Sequence, residues 1–304
     1  MPGEESEVLS VSAADFMAGR ICVVTGATAG IGKATALALA TLGATVIIVA
    51  RDAAKSARTV DEIERTVPGS TVDVVLADFA SLDAVRAAAA EIAKRYGAMH
   101  VLVNNAGVAN KDRLESMDGF ELTFAVNHLA SFLFTRELMP LLRAGAPSRI
   151  VNVASVAERH GPIDFDDLQS TRGYRGFRVY GKSKLANILF TYELAARLTG
   201  SGVTANCVHP GAVATDMLKK LPWLLYAMIS PFLLTPEQGA ATQLYLASSP
   251  QVEGVSGGYF VKGKAARSSE RSYDVAARKR LWEVSEAMVA SHSSSGTTEN
   301  NQST

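Results

Sequence analysis

Tyr180 and Lys184 stand four residues apart in the run YGKSK, at the head of an apolar stretch rich in Ala and Leu. If that stretch is a helix, the two side chains share one face. A free phenol, with a pKa of about 10, is a poor base at neutral pH. An ammonium beside it stabilises the phenolate and lowers that pKa, so Tyr180 would exchange a proton with a carbonyl or hydroxyl oxygen. Ser155, just after the apolar run 149–153, would hydrogen-bond the same oxygen and stabilise developing charge. Taken alone, a Tyr-x-x-x-Lys spacing is more simply an exposed aromatic and a solvated charge. The weight therefore falls on what surrounds it.

A second group lies near the start of the chain. Thr25-Gly26-Ala27-Thr28-Ala29-Gly30-Ile31-Gly32 follows a β-branched run. Glycines let a backbone turn tightly and approach a ligand without Cβ atoms in the way. The helix that follows would aim its unpaired N–H groups at an anion, naturally a pyrophosphate. Gly26, Thr28, Ala29, Gly30, Ile31 and Gly32 are the candidates. Their G-x-x-x-G-x-G spacing departs from the common G-x-G-x-x-G dinucleotide fingerprint. Arg51 follows the next strand, where a carboxylate would hold a ribose and repel a 2′-phosphate. An arginine there offers planar, charge-assisted bonds to phosphate, which favours NADP(H) over NAD(H). Asp52 either caps the following helix or pairs with Arg51 and blunts that preference.

These groups must be held by regular elements, and the chain alternates them. Apolar, mostly β-branched runs at 21–25, 45–50, 71–77, 101–103, 149–153, 203–208 and 258–261 predict strands. Helices are expected at 31–42, 53–66, 81–96, 119–142, 180–198 and 236–248, with a last amphipathic one at 273–289. A polar loop should span 157–178. The alternation predicts an α/β fold: a single Rossmann-like, doubly wound domain with a mostly parallel seven-stranded sheet and helices on both faces. Chemistry should then gather at the carboxyl ends of the strands.

Composition excludes several classes. Of 304 residues, 48% are hydrophobic and 20% charged, which rules out a disordered chain, a coiled coil or a collagen-like fibre. Thirty basic and thirty acidic residues cancel, leaving no basic excess for nucleic acid. Cys22 and Cys207 alone make neither a disulfide framework nor a cysteine zinc site, so a reducing, cytoplasmic setting is expected. Residues 1–19 form an acidic extension without the pattern of a signal peptide. The apolar stretch 221–234 is shorter than the ~20 residues a spanning helix needs, and Pro222 and Pro231 interrupt it. It would cover an apolar pocket, form a dimer contact or touch a membrane peripherally. Residues 266–290 read as a C-terminal helical extension, and 291–304 as a disordered tail.

Asn104-Asn105-Ala106-Gly107 follows the fourth strand, Ser155 the fifth, YGKSK opens the next helix, and Pro210-Gly211 follows the sixth. With the glycine turn, these motifs in this order resemble the short-chain dehydrogenase/reductase family over about residues 20–265. The resemblance implies a nicotinamide cofactor that carries the hydride, with Ser155 and Tyr180 meeting the substrate. Lys184 would also hold the nicotinamide ribose, and Asn127 would support a water relay from it. It further implies cofactor contacts at Asn105, Ala106 and Gly107, at Pro210 and Gly211, at the Val213 backbone and at Thr215. Asp78, with Phe79 beside it, would bind the adenine amino group; alternatively Asp78 caps the next helix. His209, His128 and the Asp164, Asp166 and Asp167 cluster read as structural, with no metal site. His160, just past Ser155, is structural or touches substrate.

"VNHLASFLFT", "SKLANILFTYELAARL" and "TPEQGAATQLYLASSPQVEGVSGGYF" are similar to the retinol dehydrogenase-like branch of that family. That branch implies NADP(H) and a hydrophobic aldehyde, ketone or alcohol. The stretch 213–235 would be a substrate lid, with Met217, Leu221, Trp223 and Leu225 lining it beside Ser155 and Tyr180. Membrane-bound members carry an N-terminal hydrophobic anchor; the acidic tail here departs from that, so the expected location is the cytoplasm, with membrane association left open. Two other readings stay open: a tailoring ketoreductase for a polycyclic or polyketide ketone, and a non-catalytic NADP(H)-binding sensor or scaffold. The resemblance also implies a homodimer or homotetramer formed through helices 119–142 and 180–198.

Overall fold

The computed structural model describes residues 17–213 and 233–291. Eight strands form one sheet: β1 (Ile21–Thr25), β2 (Thr45–Ala50), β3 (Val72–Leu76), β4 (Val101–Asn104), β5 (Ser148–Val153), β6 (Val203–His209), β7 (Tyr259–Val261) and β8 (Lys264–Ala266). Their order is β3-β2-β1-β4-β5-β6-β7-β8, and every pair is parallel except β7–β8. The order reverses between β1 and β4, which opens a crevice at their carboxyl ends.

The sheet has one strand more than the seven expected. β8 pairs antiparallel with β7 through Lys262 and Gly263, whose φ values of 51° and 72° suit a two-residue hairpin turn. The strand is three exposed residues, Lys-Ala-Ala, so no apolar run announces it.

Strand residues alternate between two cores. Val23, Ile47, Val49 and Leu102 face one, closed by α3 (Leu82–Arg95), α4 (Ala130–Ala144), α5 (Gly176–Arg197) and α7 (Val275–Ala290). Cys22, Val24, Val46 and Ile48 face the other, closed by α1 (Gly30–Thr41), α2 (Ala53–Thr66) and α6 (Pro236–Ser248). Both cysteines are buried free thiols. Burial on both faces explains why these strands read as continuous apolar runs.

Several boundaries differ from the sequence expectation. The long helix does not begin at 119. Glu121 caps a single turn, Leu122–Phe124, and a π turn, Ala125–Leu129, then leads into α4. A π turn shifts the register by one residue and so re-aims the side chains on it. α5 begins at Gly176 rather than at Tyr180, so Tyr180 lies one turn inside the helix. The loop after β5 opens with a 3₁₀ turn, Val156–His160, capped by Ser155. A further 3₁₀ turn, Glu270–Tyr273, precedes α7, which starts two residues later than expected. α7 packs across α4 and α5, with the Trp282 ring 5.0 Å from Phe132 and 5.9 Å from Phe190.

Candidate active site

The glycine turn is built by close backbone approach. Gly26 has a φ of 68°, and a Cβ on it would meet the Ala106 Cα at 2.9 Å. A Cβ on Gly32 would lie 2.4 Å from Asn105 Nδ2 and 2.5 Å from the Gly26 carbonyl oxygen. Only glycine lets α1 start this close to β4. Ala29, at the helix start, makes no side-chain cap, whereas Asp52, Ser81, Thr235 and Asp274 cap α2, α3, α6 and α7. The first N–H groups of α1 have no intrahelical acceptor and no capping side chain, which is the donor set an anion requires. Residues 26–32 therefore fit the pyrophosphate of a dinucleotide.

Asn105 and Ala106 brace this turn. Both backbone N–H groups donate to the Thr25 hydroxyl, at 3.0 and 2.9 Å, and Asn105 Nδ2 donates to the Thr25 carbonyl at 2.9 Å. From α6, the buried Gln243 donates to Asn105 Oδ1 at 3.5 Å and accepts from Thr35 at 3.1 Å. Thr25 and Gln243 escaped the sequence reading. The one signal for Gln243 was an amide on a helix flanked by small and apolar residues.

At the second strand end, Arg51 is exposed and has no ion-pair partner among the described residues. Asp52 does not pair with it. Its carboxylate accepts from the Lys55 N–H at 2.9 Å, capping α2, and that bond lowers its pKa. Asp78 does not cap the helix that follows it; Ser81 does, while Asp78 Oδ1 accepts from Ala80 N at 2.9 Å and orders the turn. Phe79 is buried beneath it, edge-on to Phe134 at 5.5 Å.

The four expected catalytic residues converge at the ends of β4 and β5. Gly161 and Gly181 let the loop after β5 lie directly on α5: a Cβ on Gly181 would be 2.4 Å from the Ala157 carbonyl, and one on Gly161 only 1.9 Å from Lys182 N. That contact brings the loop that opens with Ser155 against α5, which carries Tyr180. Lys184, one turn on, has its Nζ 5.6 Å from the Tyr180 ring centroid and donates to the Val153 carbonyl at 3.0 Å. A Cβ on Gly107 would lie 3.3 Å from Asn127 Oδ1 and 3.4 Å from Lys184 Nζ, so Gly107 sits against both. Asn127 lies in the π turn. Its Oδ1 accepts from Val108 N at 2.7 Å, and its Nδ2 donates to Val108 O and Ser183 Oγ, both at 2.9 Å.

The electrostatics differ from the expectation for Tyr180. Its pKa is raised, not lowered: burial outweighs the stabilising influence of the Ser155 hydroxyl on the phenolate. Burial also brings the Lys184 ammonium down, to about 8. Both groups meet the same dry environment, which penalises either charge.

Pro210 and Gly211 follow β6, and the Val213 backbone pairs with Leu234 while its side chain packs against Gly239. His209 Nδ1 accepts from Gly211 N at 3.4 Å, the structural role expected of it. Thr215, Met217, Leu221, Trp223 and Leu225 lie outside the described residues, as do most of the lid 213–235, most of the N-terminal extension and nearly all of the tail. Two apolar residues beside the site were not expected. Val156, next to Ser155, and Phe177, one turn before Tyr180, are both exposed, and Phe177 packs against His160 at 5.6 Å. Asp167 accepts from the N–H groups of Thr171 and Arg172 and orders its own loop. Among the described residues no group of three or more His, Cys, Asp or Glu could hold a metal ion, and no helix is long and apolar enough to cross a membrane.

A parallel sheet with an anion-ready glycine turn at its switch point, and a Ser–Tyr–Lys group opposite, defines a dinucleotide-dependent oxidoreductase scaffold. Residues 20–223 match the short chain dehydrogenase family, and the chain belongs to it. The family uses a nicotinamide cofactor and acts on alcohols and carbonyls. The chain is 43% identical to human retinol dehydrogenase 14 over 293 residues, covering 90% of this chain and 87% of that one. Human retinol dehydrogenase 12 is 43% identical over 270 residues, with 88% and 85% covered. These relatives put the chain in the retinol dehydrogenase-like branch. Among solved structures, an uncharacterised protein of Mycobacterium paratuberculosis matches with a TM-score of 0.74 at 32% identity, covering 92% of this chain and 98% of that one. The RhlG/NADP complex of Pseudomonas aeruginosa matches at 0.67 and 29%, with 81% and 95% covered.

Proposed function

We propose that the protein is an NADP(H)-dependent oxidoreductase that interconverts hydrophobic aldehydes or ketones with their alcohols. The observation that carries this is the convergence of Ser155, Tyr180, Lys184 and Asn127 facing the uncapped start of α1 across the carboxyl edge of the sheet. Bound at residues 26–32, 51, 78–79 and 105–107, the cofactor would supply or accept the hydride at its nicotinamide ring. The Ser155 hydroxyl donates to the carbonyl oxygen and polarises it. Tyr180 delivers its phenolic proton to that oxygen as negative charge develops there. A phenol held in its neutral form by burial is a proton donor, so the raised pKa suits the reducing direction. The Lys184 ammonium supports the phenolate left behind, and Asn127 braces Ser183 and the chain after Gly107. The exposed Arg51, which has no ion-pair partner among the described residues, supports a preference for the 2′-phosphate. Exposed Val156 and Phe177 beside Ser155 and Tyr180, with the names of the human relatives, support a hydrophobic substrate such as retinal or a lipid aldehyde. The apolar sequence of 213–235 supports its use as a substrate lid.

The test is steady-state oxidation of NADPH with all-trans-retinal against acetaldehyde. The expected result is turnover with a much higher kcat/KM for retinal. Tight NADPH binding with no turnover of either aldehyde would contradict this reading and favour a cofactor sensor.

A further inference from the structure

Glu158 is a fully buried carboxylate three residues past Ser155, in the 3₁₀ turn Val156–His160. Ser155 opens that turn and is tied to it twice. Its hydroxyl accepts from Ala157 N at 3.2 Å, and its carbonyl accepts from Glu158 N at 3.1 Å. The Glu158 side chain reaches Ser269, which lies between β8 and α7. Oε1 accepts from the Ser269 N–H at 3.0 Å, and Oε2 accepts from the Ser269 hydroxyl at 2.5 Å. Arg159 Nε stands 3.9 Å from Oε1, and Arg159 Nη2 donates to the Arg267 carbonyl at 3.4 Å.

The segment that Glu158 holds is itself fixed to the core. Ser268 and Ser272 are buried, and their hydroxyls lie 2.6 Å apart. Ser268 Oγ also lies 2.7 Å from the hydroxyl of Tyr192 on α5. Ser272 Oγ donates to the Ser269 carbonyl at 2.6 Å, and the Tyr273 ring stacks on Tyr192 at 5.5 Å. Residues 268–273 are thus bound to α5, the helix that carries Tyr180 and Lys184. Through Glu158 they are bound to the turn that carries Ser155 as well. A buried carboxylate is costly to desolvate, and an apolar side chain would fill this space at lower cost. What an apolar residue could not supply is an oriented, two-point tie between the two segments.

We propose that Glu158 is a positioning residue that sets the place of the Ser155 hydroxyl by tying its turn to the C-terminal segment at Ser269. This rests on the reading of Ser155 as the donor to the substrate carbonyl oxygen. Both Glu158 oxygens are taken up by Ser269, so Glu158 acts through Ser155 and not on the substrate. On this reading the segment before α7 is a support of the active site, and the C-terminal extension does more than cover α4 and α5.

Three measurements on the full chain test it. The first is amide hydrogen exchange. The Ser269 N–H should exchange slowly in the native chain and at least about tenfold faster in Glu158→Leu. Equal exchange in the two overturns the tie without reference to activity. The second is turnover of all-trans-retinal with NADPH. Sub-ångström slack in a catalytic group costs up to about 100-fold, so Glu158→Leu should lower kcat roughly tenfold with the Kd for NADPH unchanged. Glu158→Gln should recover most of it, because its amide can accept from the Ser269 N–H and donate to the Ser269 hydroxyl. The third is the double variant. If Glu158 acts through Ser155, adding Glu158→Leu to Ser155→Ala costs nothing more; a further loss of about tenfold would show general loosening and overturn the proposal. Melting curves confirm that each variant is folded. If Glu158→Leu is not, Ser269→Ala removes one of the two bonds and should lower kcat by a few-fold in its place. Native kcat in a folded Glu158→Leu, with Ser155→Ala and Tyr180→Phe impaired, overturns the proposal and leaves the catalytic reading standing. Unchanged turnover in Ser155→Ala would instead remove the reading on which the proposal rests.

Discussion

Replacing Gly32 with alanine probes the cofactor cradle through a single methyl group. That methyl would sit 2.4 Å from Asn105 Nδ2, 2.5 Å from the Gly26 carbonyl oxygen and 3.0 Å from its carbon. The Asn105 side chain can swing. The Gly26 backbone cannot move freely, because its N–H donates to the Val49 carbonyl at 2.8 Å. Overpacking of this kind costs about 1–3 kcal/mol. Alanine regains about 1 kcal/mol in helix propensity, so the net loss of stability stays within ~2 kcal/mol. The cofactor should lose more. Displacing the turn weakens a charge-assisted hydrogen bond to phosphate worth roughly 1.5–3 kcal/mol, which raises the Kd for NADPH about 10- to 100-fold. Fluorescence titration with NADPH gives the Kd, and a thermal melt gives the stability. Gly97→Ala is the control, since a Cβ there meets nothing within 4 Å, and it should change neither quantity. A Gly32→Ala protein that binds NADPH with the native Kd would refute the cradle.

Three further outcomes follow from the same structure. Arg51→Ala should raise the Kd for NADPH about tenfold and leave that for NADH unchanged, because one exposed, charge-assisted contact is removed; equal effects on both cofactors would show that Arg51 does not read the 2′-phosphate. Lys184→Met should abolish turnover yet melt above the native protein at pH 7. Burial brings Lys184 from 10.5 to about 8, so between those values the unfolded chain holds a proton that the folded chain has released. Its contribution to stability is therefore least favourable below pH 8, by about 3 kcal/mol before the lost Val153 bond is counted, and recovers as pH rises. The melting advantage of the variant should shrink toward pH 10, and a variant less stable than native at pH 7 would contradict the assignment. Phe177→Ser should raise KM for all-trans-retinal several-fold more than for acetaldehyde, as should Trp223→Asp or Leu225→Asp if 213–235 is a lid; equal effects on both aldehydes would remove these residues from the pocket.

What the sequence revealed and what it concealed divide along a physical line. The glycine turn, the doubly buried strands and the Tyr180–Lys184 spacing are local patterns, since glycine, continuous apolar runs and a four-residue repeat each have one dominant structural meaning. The π turn at Ala125–Leu129 has no such pattern, because its residues would equally continue an α-helix. The contact of Gly161 with Gly181 brings the Ser155 loop onto α5, but it joins segments whose meeting depends on the whole sheet. The same holds for Gln243, which reaches Asn105 from α6. The direction of the Tyr180 shift was misread because spacing reports the neighbouring charge and not the burial that opposes it. Asp52 offered a cap or a pair with Arg51, and Asp78 an adenine contact or a cap. Asp52 took one of the two, the cap, whereas Asp78 orders its own turn because Ser81 was placed to cap instead.

The most direct test of the account is the rate of NADPH oxidation with all-trans-retinal, compared with NADH and with Tyr180→Phe. The account predicts turnover that prefers NADPH and falls by at least about 100-fold in a variant that still binds NADPH normally. Tyr180→Phe turning over at the native rate would contradict the assignment of the proton donor, and a preference for NADH would contradict the role given to Arg51.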